Sequence, residues 1–450
     1  MRALLLLALP VLTFTQGTHA RTNPLATPDQ LALDALAADL YKTTDFSIPR
    51  SAARAQFLVT LKKYGKTIDA QIENDIDVAI DELVFSALQK AVNNDPAYPK
   101  VYWTDAPPRD ADHWFGIDVP GGRYSYDNTD CIYRTIPISS KYEYIVRGKR
   151  SGTGPSDVTF SLISNPNSQG TVDSIVGDEL VVEEDGTFEI TISKRGKDDV
   201  GSKNHIKSDF RAVQLFVRNN LGDWDTETVD ELSVEIISDV SDVEPATNET
   251  IIKDTKRNIH EGSFFYGFGA LDFKTLINPL NQLDNPSQSA ILGTLTTQAS
   301  SFGHFDLSPD EALIVTFSPG KSTYWVLPAY SLGMITHAPW ENIVSFNNKQ
   351  ARPNENGTYT FVVSQTDPGV YNWVNATGRT QGTFTGRWQG LPRDTSVENG
   401  IEVWSFVVPV EGVRGVVPEE TAWVEEEERE VQRRERVEGF RRMRWGEHDG

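Results

Sequence analysis

The chain has 450 residues, a formal net charge of −22 and one cysteine, Cys131. That length holds large cores and roughly two or three domains. The charge excludes nucleic acid and anionic membrane surfaces as partners, because both would repel it, and one cysteine excludes an intramolecular disulfide.

Met1-Arg2 precedes an apolar run from Ala3 to Phe14, and Thr18-His19-Ala20 is a small-residue cleavage site. Residues 1–20 therefore read as a secretory signal peptide. No later segment approaches the roughly 20 apolar residues that cross a bilayer, so no membrane insertion is expected. Residues 21–95 form a helical region. Thr27-Pro28 reads as N-cap and first residue of a helix through 40, with further helices at 52–64 and 68–92. The last carries an apolar stripe, Ile72, Ile76, Ile80, Leu83 and Leu88, that reads as a packing face.

From 96 to 240 the pattern turns to short alternating runs between turn residues, with strands at 142–146, 158–163, 188–193, 213–217 and 232–236. This reads as a first β-sandwich unit. Residues 241–310 read as a connector with short helices at 267–281 and 288–298. A second β-sandwich unit is expected over 311–410, with strands at 312–317, 323–327, 359–363, 382–388 and 401–408. Residues 411–450 are a charged C-terminal helix or tail; 425–445 reads as one exposed helix laced with Glu–Arg pairs.

The two β units look like copies. The run from Asp185 to Ser193 matches Asn356 to Ser364, Asn204 matches Asn372, and Arg218 matches Arg387 at nearly the same interval. Thr159 is paired with Tyr324 in the same alignment. A repeat this long is a duplicated domain. The expected fold is mainly β with a helical N-terminal part and two related jelly-roll-like sandwiches.

No phosphate loop, His-Glu-x-x-His or Gly-x-Ser-x-Gly motif is present, and no histidine pair has metal-ligand spacing. Neither a metal nor a cofactor is specified. Asp127-Asn128-Thr129-Asp130, followed by Tyr133-Arg134, offers two carboxylates for acid–base work or for binding hydroxyls; the same residues also make an ordinary self-capping turn. His205 is the best-placed general base, or else a hydrogen-bonded structural residue. Arg218 and Arg387 could clamp an anion or brace a protein carboxylate in each copy. Trp373 could stack on a sugar ring, though aromatics in sandwiches mostly fill cores. Asn248, Asn356 and Asn375 begin N-glycosylation sequons, which fit a secreted glycoprotein.

The run Asp367-Pro-Gly-Val-Tyr-Asn-Trp-Val-Asn-Ala-Thr-Gly-Arg, with Arg387-Trp388, resembles the uncharacterised family catalogued as domain of unknown function twelve-fourteen. That domain is often found beside the related twelve-fifty-four domain. Tyr126 to Arg134, Asn204-His205, Arg218, Asp223-Trp224, Tyr324-Trp325 and Ser345-Phe-Asn347 extend the likeness over most of the chain. The resemblance implies a soluble or secreted, jelly-roll-like body and no established activity. Asn375 and Arg379 stand where the family commonly has Asp and His; if those positions were catalytic in relatives, that function is absent here.

The expected function is that of a secreted, extracellular hydrolase or lyase acting on a carbohydrate or small polar metabolite between the two units. Asp127, Asp130 and His205 would be its acid–base residues. Asn128, Tyr133, Arg218, Asn372, Trp373 and Arg387 would bind the ligand. The alternative is a non-catalytic extracellular protein that binds a glycan or metabolite.

Overall fold

The computed structural model describes residues 23–109, 114, 116–288, 295, 297–394 and 398–445. Residues 1–20, where a signal peptide is expected, lie outside the described residues, as do His113 and His448.

Three helices open the chain: α1 (Pro28–Thr43), α2 (Ser47–Lys63) and α3 (Ala70–Val92). Thr27 caps α1 by accepting the Gln30 amide, with Pro28 in the first turn, and Asp69 caps α3 through the Ile72 amide. The first β unit runs through β1 (Tyr102–Thr104), β2 (Cys131–Pro137), β3 (Tyr144–Lys149), β4 (Asp157–Ile163), β5 (Thr171–Val176), β6 (Thr187–Ser193), the one-turn α4 (Lys197–Val200), β7 (Asn204–Lys207), β8 (Gln214–Asn220) and β9 (Glu231–Ile236). Helix α5 (Asn248–Ser263) then continues into a π-helical segment, Phe264–Leu276. The second unit comprises β10 (Gln282–Leu283), β11 (Ser287–Gln288), β12 (Ala299–Asp306), β13 (Glu311–Pro319), β14 (Tyr324–Tyr330), β15 (Ser345–Asn347), β16 (Tyr359–Ser364), β17 (Trp373–Asn375), β18 (Gln381–Gln389) and β19 (Ile401–Pro409), and α6 (Glu426–Trp445) closes the chain.

The strand orders show the duplication directly. The first unit has sheets β1-β2-β8-β4-β5 and β7-β6-β3-β9; the second has β10-β12-β18-β14-β15 and β17-β16-β13-β19. From β2 onward each strand has its counterpart ten strands later. Among the described residues the only parallel pair in each copy is the matching one, β6 with β7 and β16 with β17. Each unit is a sandwich, because one apolar core draws on both of its sheets: Phe160, Leu215 and Ile190 in the first, Trp388, Leu327 and Phe361 in the second.

The turns repeat at atomic detail. Thr187 donates its amide and hydroxyl to Asp185 Oδ1, at 3.0 and 2.6 Å, and Thr358 does the same to Asn356 Oδ1, at 3.0 and 2.7 Å. Gly186 and Gly357 hold φ of 83° and 80°, where a side chain would be strained. Asn204 and Asn372 also match. Each side chain accepts one backbone amide, from Val181 or Arg352, and donates to two carbonyls, of Val181 and Glu189 or of Arg352 and Thr360. One detail of the sequence alignment is corrected. Arg218 sits opposite Thr159 and Arg387 opposite Val326, so Thr159 pairs with Val326 rather than Tyr324.

Two further expectations are revised. Residues 241–310 are not only a connector: 248–276 is one long helical element, because Ile251, Thr255 and Ile259 recur every four residues and are buried, while β10–β12 already belong to the second unit's sheet. The α6 helix is not freely exposed. Its buried side includes Gln432, Val437, Phe440 and Arg444. Phe440 packs edge-on against Trp224 of the first unit, and Arg429 pairs with Asp367 of the second at 2.7 Å, so α6 straps both units. The α3 helix does likewise from inside, through buried pairs Glu82–Arg123 and Asp75–Arg379.

Because each asparagine side chain satisfies three backbone groups at once, Asn204→Ala and Asn372→Ala should each lower stability by about 2–4 kcal/mol. Chemical denaturation of the two variants checks this, and a loss confined to one copy would show that the brackets are not equivalent.

Candidate functional site

The β8 and β18 strands occupy matching places in the five-stranded sheet of the first unit and the six-stranded sheet of the second, and these sheets meet at a seam. Asn220, two residues beyond Arg218, donates to Gln389, two residues beyond Arg387, at 2.9 Å. Equivalent positions of the repeat thus touch one another. Beside this contact lies a cavity of about 120 Å³, lined by Asn128, Tyr133, Phe216, Arg218 and Asn220 from the first unit and Ser300, Phe302, Arg387 and Gln389 from the second. The π-helical segment roofs it with Phe265, Tyr266, Ala270 and Lys274; Asp105, Tyr124, Ser125 and Tyr126 complete the wall. The opposite face of the π-helical segment exposes Phe264, Phe268 and Phe273 to solvent. π-Helical turns are rare and occur mostly at functional sites.

Arg218 lies over an aromatic pair. Its guanidinium lies 4.3 Å from the Phe216 ring, which stacks on Tyr133 at 5.5 Å, and it donates to Gln169 at 2.9 Å. Arg387 donates to the Tyr126 carbonyl. Among the described residues neither arginine has a carboxylate within ion-pair distance. Lys274 adds a third cation, its pKa lowered to about 8 by burial and then by Arg387. Beneath the wall, Lys90 donates to Asn167 and the Tyr266 hydroxyl, both at 3.0 Å, and burial lowers its pKa to about 7.

The backbone of the wall is strained. Asp105, Ser125 and Tyr126 hold φ of 56°, 42° and 68°, a region in which an aromatic residue is an outlier. Such strain concentrates where surrounding structure holds a site in place. Asp105 is 5% exposed, and one of its oxygens accepts the Tyr124 amide at 3.1 Å. Burial, then the neighbouring Asp127, pushes its carboxyl well above the usual carboxylate range.

Of the residues singled out from sequence, Asn128, Tyr133, Arg218 and Arg387 come together here. Neither arginine braces a protein carboxylate, which removes the scaffolding reading. Asp127 and Asp130 lie behind the wall. Asp127 accepts the amide and hydroxyl of Thr336, while Asp130 accepts Tyr324 at 2.6 Å, Asn347 at 2.8 Å and Trp224 at 3.1 Å. These saturated carboxylates fasten the two units together, so the acid–base assignment to them is corrected. His205 is elsewhere, on β7 at the edge of the outer sheet. Its ring nitrogens are engaged by Thr191 and the Arg195 carbonyl, at 2.8 and 2.9 Å, which leaves neither for substrate. Asn372 is consumed by its backbone bracket. Trp373 is buried, donates to Ser364 and is covered by Arg429 of α6, so it presents no stacking face.

Arg379 pairs with Asp75 at 2.7 Å and thereby ties the second unit to α3. Asn248 and Asn356 are exposed and Asn375 is half-buried. Among the described residues no group of three or more His, Cys, Asp or Glu could hold a metal ion, and no helix is long and apolar enough to cross a membrane.

Sequence reasoning missed Asp105, Tyr124, Tyr266 and Lys274. The one local signal was the aromatic run Phe264-Phe265-Tyr266-Gly267-Phe268, too rich for a plain connector.

Burial raises the Asp130 carboxyl to about 6 despite its three donors. A carboxyl raised above its unfolded value near 3.9 contributes stability below about pH 4 and loses it as pH rises through 6, here about 2–3 kcal/mol. The stability advantage of wild type over Asp130→Asn should therefore shrink by that amount between pH 4 and 7, measured by denaturant titration at each pH.

Comparison with known proteins agrees with this architecture. A solved protein from Burkholderia cenocepacia, described as putative and uncharacterized, matches with a TM-score of 0.66 and 20% identity, over 84% of this chain and all of that one. A Vibrio parahaemolyticus protein aligns with 73% of this chain and all of its own, at 9% identity and a TM-score of 0.39. No curated protein matches. Residues 296–388, which contribute one wall of the pocket and Arg387, match the family described as "Protein of unknown function (DUF1214)", and over that segment the chain resembles this family.

Proposed function

We propose that this chain is a secreted protein that binds a small organic anion in the pocket between its two β units. The carrying observation is the pair Arg218 and Arg387, contributed by equivalent strands of the repeat and lacking any carboxylate partner among the described residues. A guanidinium taken from water without a counter-charge is costly, and a bound carboxylate supplies both the charge and the paired acceptors that its fork requires. The cavity is slightly smaller than the roughly 150 Å³ void that accepts benzene, so the ligand is a small acid, not an oligosaccharide. Rings from Phe216, Tyr266 and Phe302 favour a partly apolar body.

This reading takes up the binding alternative drawn from the sequence. A catalytic role in the same pocket is the second reading, favoured by Asp105, a buried carboxyl group held in left-handed backbone. Secretion rests on the apolar run after Met1-Arg2, and two of the three sequons lie on exposed residues.

Arg218→Gln and Arg387→Gln should each weaken binding of short-chain carboxylates by about ten- to a hundred-fold while the thermal melt stays cooperative. Calorimetric titration with such acids tests this; unchanged affinity in both variants refutes the anion site. In a eukaryotic secretory host, N-glycosidase should lower the apparent mass of the wild type, and Asn248→Gln with Asn356→Gln should remove most of that shift.

A further inference from the structure

Resting on the anion reading above, we infer that the ligand is an oxygen-bearing acid, an oxo or hydroxy acid. Arg218 and Arg387 take its carboxylate, and a second oxygen accepts a hydrogen bond from the carboxyl group of Asp105.

Four observations support this. Asp105 lines the same cavity as both arginines and is 5% exposed, yet only one of its oxygens is engaged, by the Tyr124 amide. Its other oxygen has no partner among the described residues. The backbone there is left-handed, φ 56°, a conformation that Asp and Asn share, so the residue is held at the wall by its loop. Among the described residues no cation stands within ion-pair distance, because Lys90 is turned to Asn167 and Tyr266, and Arg444 of α6 to the carbonyls of Asn128, Thr129 and Cys131. A carboxyl buried with one hydrogen bond and no counter-ion keeps its proton, and a protonated carboxyl is a donor in search of an acceptor.

The charged and titratable groups around it act together. Lys90 comes from α3, Asp127 and Tyr124 from the segment before β2, Tyr266 from the π-helical roof and Arg444 from α6. Asp127 reinforces the neutral state, and the cations oppose it less than burial favours it. The resulting polarity is specific: two guanidiniums require a negative end, and one carboxylic acid requires an acceptor. Saturated acids satisfy only the first demand and leave the Asp105 proton buried without a partner.

The test compares pentanoate, 2-oxopentanoate and 4-oxopentanoate by calorimetric titration against wild type, Asp105→Asn, Asp105→Ala and Arg218→Gln. At least one oxo acid should bind wild type about ten-fold tighter than pentanoate. Asp105→Asn, whose amide also donates and whose side chain tolerates left-handed backbone, should keep that preference; Asp105→Ala should lose it. Equal affinity for all three acids in wild type, preference retained in Asp105→Ala, or preference lost in Asp105→Asn overturns the inference. An Arg218-dependent pentanoate site would survive each of those results, whereas wild type that binds none of the acids refutes the anion reading and this inference together.

A second readout does not depend on the alanine variant folding. As pH rises, Asp105 ionises, the donor is lost and a like charge faces the ligand, so oxo-acid affinity falls. Lys90 and Lys274 lose protons in both proteins, so only the excess fall of wild type over Asp105→Asn reports Asp105. Equal slopes of the two proteins across the pH range in which both stay folded overturn the assignment.

Discussion

Two sandwiches that meet along the sheets carrying β8 and β18 must satisfy every polar side chain that the seam takes from water. Most of this molecule is arranged by that requirement. Asn128, Asn220 and Gln389 form one chain of donors and acceptors across the seam, and Asp130 gathers Tyr324, Asn347 and Trp224. A buried amide or carboxylate left unpaired costs about 1–3 kcal/mol, so these bonds fix the mutual placement of the units more sharply than apolar contact does. The same demand explains why the exceptions are informative. Arg218 and Arg387, without a carboxylate partner among the described residues, and Asp105, with one hydrogen bond, share one cavity.

Duplication accounts for the geometry of that cavity. A gene copy delivers the same strand twice, and pairing the copies through matching sheets brings equivalent positions face to face. Where the scaffold needed both copies, they stayed alike, as in Asn204 with Asn372 and in the turns at Gly186 and Gly357. Where the seam is concerned they diverged around a common theme. Asn220 became the partner of Gln389, Tyr133 stands where the second unit has Ser300, and only the arginines remained identical.

The helical elements complete what the sandwiches leave open. From within, α3 anchors Arg123 and Arg379; α6 straps the outside and spends Arg444 on three backbone carbonyls of the Asn128–Cys131 turn. The π-helical segment presents Tyr266, Ala270 and Lys274, four residues apart, to the cavity.

The sequence by itself determined the helical start, the two β units and their kinship, because hydrophobic period, caps and turn residues act locally. It also marked Arg218 and Arg387 as a pair, since a repeat preserves position. Its acid–base set failed for a physical reason. Asp127, Asp130 and His205 have the chemistry of catalytic residues, but chemistry alone does not reveal whether a partner such as Thr336, Tyr324 or the Arg195 carbonyl already uses it. Conversely, Asp105 and Lys274 carry no motif, and residues 264–276 resembled a linker. What makes them a site is burial beside one another across about 170 residues of chain, and burial, which sets both their protonation and their need for a partner, exists only once the two units have closed.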